Sequence, residues 1–250
     1  MTLKRLIKIL SSLLVFLPAI VHAADITLPG ISIDYGAGQQ SDETATAFKL
    51  LLTLTLLSLA PAFLVIMTSF TRIIIVLSML RHALGMQQTP PNTVLVSLAM
   101  LLTMFSMAPV FNEMNKTAIQ PYLDGKLDTK KAVDEGIKPL RLFMLRQTRE
   151  QDMAVILEIN DETAPQSAED ISTLHIISAF LLSELKTAFQ IGFIIFLPFL
   201  LVDLVVASVL MSMGMIMVPP MMISLPLKVL MFVLIDGWAL IVQSLMASFS

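Results

Sequence analysis

Four methionines stand at alternate positions, Met211, Met213, Met215 and Met217, within MSMGMIMVPPMM, residues 211–222, beside Gly214 and the pair Pro219 and Pro220. Thioether sulfur offers two kinds of chemistry in such an array. It is a soft donor, and a Met-x-Met run suits transport of Cu(I). It is also apolar, unbranched and carried on three rotatable bonds, so it can close a narrow passage and then deform around an irregular guest. Period two gathers side chains on one face only if the backbone is extended, and Gly214 and the proline pair interrupt helix. We therefore expect a non-helical loop at membrane depth, where such backbone must be buried in protein or line a cavity. The chain has no cysteine, and no histidine lies near the run. Both facts weigh against a Met-lined copper transporter and for a seal.

Charges inside apolar sequence are the second set. Asp203 sits in FLPFLLVDLVVASVL, Asp236 in FVLIDGWALIV, and Lys228 shortly after the methionines. A charge at mid-membrane costs about 2.5–3.5 kcal/mol on insertion scales, so each requires a partner or a wet cavity. If the chain reverses near Met217, residues equidistant from the turn are level, and Asp203 meets Lys228. Glu184, next to Lys186, is a second partner for Lys228, but only across subunits. Asp203 and Asp236 read as buried acids that set register; no intramembrane histidine or chain of acids completes a proton relay with them. His22, His82 and His175 lack metal-ligand spacing, and no phosphate loop, nucleophile elbow or HExxH is present. We expect neither an enzyme nor a resident cofactor. A net charge of -3 offers no surface for nucleic acid.

The elements that hold these residues follow from composition. At 56% hydrophobic and 14% charged residues, with mean hydropathy +0.83, the chain reads as an all-α membrane protein. Residues 1–23, MTLKRLIKILSSLLVFLPAIVHA, have the basic head, short apolar run and small terminal residues of a signal peptide, with 24–46 an exposed lead-in. Four stretches, 50–67, 93–111, 189–211 and 229–249, approach the ~20 residues needed to cross a bilayer. They form a first apolar hairpin over 47–111 and a second over 176–250, separated by a polar periplasmic insert, 112–175. In the insert, Leu140, Phe143 and Met144 have helical spacing with arginines on the other side, and a loop is expected around Pro165. Arg72 and Arg81, without an acid nearby, mark the connector 68–92 as cytoplasmic, and its apolar run 73–80 reads as a short interfacial or re-entrant helix. Pro61, Pro109, Gly192 and Pro198 predict interrupted helices that must pack against other protein, hence an oligomer.

The stretches MTSFTRIIIVLSMLRHALGMQQTPPN and FLPFLLVDLVVASVLMSMGMIMVPPMMISLPLKVLMFVLIDGW closely resemble the two signature regions of the FliP family of flagellar type III export gate proteins, over a match running from about Phe48 to the C-terminus. The resemblance implies kinked helical hairpins assembled as a five-copy ring. With FliQ and FliR this ring makes a closed helical channel at the flagellar basal body, in the inner membrane and displaced towards the periplasm. It implies that Met211, Met213, Met215 and Met217 form a gasket across the path of unfolded export substrates, and that Glu184 pairs with Lys228 of a neighbouring protomer. Energy would come from a separate ATPase and the proton motive force through other export proteins. A virulence-system counterpart is the alternative within the same class.

Overall fold

The computed structural model describes residues 40–159, 167, 170–215 and 217–249, and all regular structure among them is helical. In chain order these are α1 (Gln40–Ile66), α2 (Phe70–Ala83), α3 (Asn92–Met114), a π-helical turn (Asn115–Ile119), α4 (Gln120–Leu123), α5 (Thr129–Gln147), α6 (Glu150–Ile159), α7 (Thr173–Ser212), α8 (Pro220–Leu234) and α9 (Gly237–Ala247). The signal peptide, most of the lead-in and the loop around Pro165 lie outside the described residues. Two compact units divide the chain, one ending at Leu59 and the other running from Ala60. The second holds the core and the candidate site.

The spine of this unit is α7, whose 40 residues span about 60 Å, twice the hydrocarbon thickness of a bilayer. It therefore begins well before the expected span at 189, taking up the end of the polar block. Likewise α3, the π turn and α4 form one apolar run, Asn92–Leu123. Among the described residues these two are long and apolar enough to cross a membrane, and α8 with α9 makes a third candidate, bent by 66°. The prolines break less than their sequence suggests. Pro109 lies inside α3, Pro198 inside α7 and Pro226 inside α8. In apolar surroundings the neighbouring backbone groups find no partner but the helix itself, so the helix continues. Serine and threonine follow the same logic: Ser97, Thr103, Ser178 and Ser208 each donate to the carbonyl four residues back in their own helix.

Helix α2 corrects the expectation of an interfacial segment. Ile73, Val76, Leu77 and Leu80 are fully buried, at i, i+3, i+4 and i+7, one helical face. Ile73, Val76 and Leu77 pack with Leu95, Ala99 and Leu102 of α3, Ala188 of α7 and Leu245 of α9, and Leu80 with Phe199 of α7 and Phe232 of α8. Gly192 is likewise a contact and not a break. A Cβ there would stand 2.2 Å from Sδ of Met79, so the missing side chain leaves room for the end of Met79 between α2 and α7. Arg72 is buried in this core, which removes it as a marker of cytoplasmic sequence; Arg81 donates to Asn92 Oδ1 at 2.6 Å and bridges the connector.

The insert is helical as expected; Arg146 is exposed, but Arg141 and Arg149 reach across to neighbouring segments instead of solvent. Met144 is buried with Ile171, Ile176 and Phe180, and Phe143 meets Phe180 edge-on at 5.8 Å. Arg141 donates to Ile171 O at 2.8 Å and to Thr173 Oγ1, while Arg149 donates to Thr187 Oγ1 at 3.3 Å and to Gln190 Oε1. Ser183 Oγ, from α7, donates to buried Asp152 of α6 at 2.7 Å. Polar groups thus fasten α5 and α6 to the first half of α7.

The other half is barely covered. Only 22% of the best apolar window of Asn92–Leu123 and 17% of that of Thr173–Ser212 is buried. Phe189, Phe193, Leu201 and Leu204 on α7, with Met104 and Phe105 on α3, are exposed. Apolar surface on this scale requires lipid or more protein against it.

Candidate functional site

The methionines occupy the tip of the hairpin formed by α7 and α8. Helix α7 runs on through Ser212, with Met213 at its C-cap in helical conformation (φ -81°, ψ 0°). Gly214 follows with φ +74°. Its N–H donates to Met211 O at 3.0 Å, and that of Met215 reaches back to Leu210 O at 3.0 Å. These two bonds are the 5→2 and 6→1 closures of a Schellman motif, which satisfies the last carbonyls of the helix and needs a left-handed residue at Gly214. On the far side Pro219 is extended (φ -62°, ψ 120°), as a residue before proline must be, and Pro220 opens α8 at its first position.

The non-helical loop expected across all four methionines is therefore not what forms. Met211 and Met213 are on helical backbone, and only the short link after Gly214 is irregular. The helix persists through Ser212 because in apolar surroundings its backbone groups have only each other to pair with, and it ends where Gly214 takes up the left-handed conformation. The four methionines share the hairpin tip; Met211, Met213 and Met217 are largely exposed (64%, 67% and 97%), and Met215 is 40% exposed.

Gly214 supplies a prediction. An added Cβ would meet nothing within 4 Å, so Gly214→Ala introduces backbone strain without a clash, about 1–2 kcal/mol. Gly214→Asn, which tolerates the left-handed region better, is expected to lose less. Thermal melting of the detergent-solubilised protein checks the order. Equal melting of alanine and asparagine variants with the parent would remove the role given to this glycine.

Below the tip, Lys228 Nζ donates to Asp203 Oδ2 at 2.6 Å and to Ala83 O at 3.2 Å. The lysine is buried, 4% exposed, while the aspartate is half-exposed. This is the pair that equidistance from the turn predicts. One side chain ties α8 to α7 and to the end of α2, beside a cavity of about 250 Å³ lined by His82, Gly85, Asp203, Ala207, Pro220 and Lys228.

Glu184 takes a different partner. Arg72 donates through Nε to Glu184 Oε2 at 2.9 Å and through Nη2 to Oε1. The glutamate is 0% and the arginine 2% exposed. The same guanidinium donates to Ser248 O at 2.9 Å, Ser248 Oγ at 3.0 Å and Gln147 Oε1 at 2.9 Å, and lies 4.1 Å from the Phe249 ring centroid. Within the protomer Glu184 and Lys228 each hold an intrachain partner, which the intersubunit pair between them implied by the family resemblance would have to exchange. Arg72 is the residue that sequence reasoning missed. A lone cation heading an apolar helix and a lone anion inside another each demand an opposite charge, and that demand could have matched them.

Asp236 is also corrected. It is exposed and sits at the N-cap of α9 in left-handed conformation (φ 51°, ψ 51°), where the expected last span bends. Aspartate is among the few non-glycine residues that visit this region readily, so it serves the break instead of filling a buried site.

Comparison with known proteins agrees with this architecture. The FliP family pattern matches residues 53–245. Flagellar biosynthetic protein FliP of Bacillus subtilis (strain 168) is 51% identical over 217 residues, covering 87% of this chain and 98% of that protein. The protein of the same name from Pectobacterium carotovorum subsp. carotovorum is 52% identical over 199 residues, 80% of this chain and 77% of its own length. That from Caulobacter vibrioides is 44% identical over 241 residues, 96% and 90%.

Proposed function

Because this chain belongs to the FliP family, we propose that it serves flagellar protein export as a pore-forming subunit of the type III export gate. It works in the bacterial inner membrane with FliQ, FliR and further copies of itself, five in a ring. Unfolded flagellar substrates pass along the ring axis, and the hairpin tips of α7 and α8 meet there to close it. Much of the assembled complex stands on the periplasmic side.

The observation that carries this reading is the tip itself: four thioether side chains on a short link, fixed at its base by a Schellman turn and a proline pair, and unpartnered within the protomer. The bare apolar faces of α3 and α7 support an assembly, since neighbouring protomers would cover what the protomer leaves open. Dewetted apolar constrictions exclude ions, and flexible methionine adapts to a guest of changing width where leucine or phenylalanine would fit one shape.

Replacing Met211, Met213, Met215 and Met217 together by alanine shortens every seal-forming side chain while leaving Gly214, Pro219 and Pro220 in position. Membranes containing the variant gate are expected to conduct ions at rest, measured as current across a planar bilayer. Resting conductance equal to the parent's, with normal assembly and secretion, would sink the gasket.

A further inference from the structure

We propose that the hairpin tip is a site of reversible oxidative modification, taking small two-electron oxidants of the peroxide class, and that sulfoxide formation there unseals the gate. The inference rests on the gasket reading above and adds a chemistry to the same residues.

Methionine reactivity follows access to sulfur. Met107 and Met144 are fully buried, whereas Met211, Met213 and Met217 are well over half exposed and Met221 and Met222 stand exposed just beyond; away from the tip, Met100 and Met104 on α3 are comparably exposed. No atom lies within 4 Å of where a Cβ on Gly214 would be, so the loop stands in open space. Where the tips close the axis, the thioethers at the faces of the seal border the aqueous space on either side, which an oxidant as small as hydrogen peroxide enters. The step balances without another reactant. A sulfur lone pair attacks one peroxide oxygen and forms the S–O bond as the O–O bond breaks. Hydroxide leaves, takes the remaining proton and departs as water. The thioether is oxidised by two electrons and the peroxide reduced.

The product keeps the length and rotatable bonds of methionine but carries a strong, polar acceptor oxygen. A constriction closed by dewetting depends on the absence of such groups. A ring repeats each change in every protomer, so one modified position becomes a polar collar. Oxidation therefore removes apolarity while leaving side-chain size almost unchanged, which truncation to alanine cannot do.

The test treats membranes holding the complete gate with hydrogen peroxide, follows resting ion conductance, and maps sulfoxide by mass spectrometry of the peptide spanning residues 211–222. Expected are a gain of 16 Da per modified methionine there, little at Met107 and Met144, and a conductance rise. Both should reverse with the two epimer-specific methionine sulfoxide reductases and a thiol reductant. A variant with leucine at 211, 213, 215 and 217 keeps its own starting conductance after oxidant. Sulfoxide at the tip without a leak overturns the proposal, as does protection of the tip while other exposed methionines oxidise. A leak that persists after the tip is reduced again also overturns it. If the alanine variant leaks and the oxidised parent does not, this inference fails alone; if the alanine variant stays tight, the gasket itself has failed.

Discussion

Arg72→Ala is expected to destabilise the protomer by about 3–5 kcal/mol and to leave little folded protein in the membrane, because removal of one partner strands a buried charge. Glu184 has no exposed side-chain surface, and in the parent both its carboxylate oxygens are held by the guanidinium. Arg72→Lys should fail nearly as badly. An ammonium is a point donor and cannot reproduce the fork that reaches Glu184, Gln147 and Ser248 together. Changing both partners, Arg72→Met with Glu184→Met, replaces a desolvated ion pair with apolar groups of similar volume and should recover much of the loss. Accumulation in membranes and melting in detergent measure all three. An unshifted melting temperature for Arg72→Ala, or a double variant no better than the single, would show that the pair is not what holds this centre.

The second large effect is expected at Gly237, where α9 leaves the 66° break. A Cβ at that position would lie 2.2 Å from Cδ2 and Cε2 of Phe232. That ring cannot move aside, because it meets Trp238 edge-on at 5.5 Å and Phe199 at 6.4 Å. Overpacking of this kind costs about 1–3 kcal/mol, so Gly237→Ala should melt well below the parent. Gly192→Ala is the control. Its nearest atoms are Sδ and Cε of Met79, the far end of a flexible side chain that can swing away. Equal losses at the two glycines would contradict the distinction between a locked ring and a yielding thioether.

These two sites mark where sequence stops being informative. The all-helical membrane class was legible from composition. Symmetry about a turn offered the Asp203–Lys228 pair that the protomer holds, but the family resemblance turned the reading towards Glu184 of a neighbouring protomer as the partner of Lys228. The core role of α2 was not. RIIIVLSML reads equally as a short interfacial helix or a buried one, since periodicity cannot distinguish lipid from protein as the apolar neighbour. The prolines misled in the other direction, because their cost in water exceeds their cost where no competing hydrogen bonds exist. The alternation of methionines suggested a loop where the backbone is in part helical: α7 runs on to Met213, and Gly214 ends it. Arg72 and Glu184 lie 112 positions apart, beyond any local pattern.

The Arg72 centre also sets an order of events in biosynthesis. Its arginine is translated first, its glutamate 112 residues later and Ser248 176 residues later. Until those segments have been made, the guanidinium has only part of its shell. A nascent chain that has not yet made Ser248 and Phe249 carries an arginine lacking two of its acceptors and its aromatic cover.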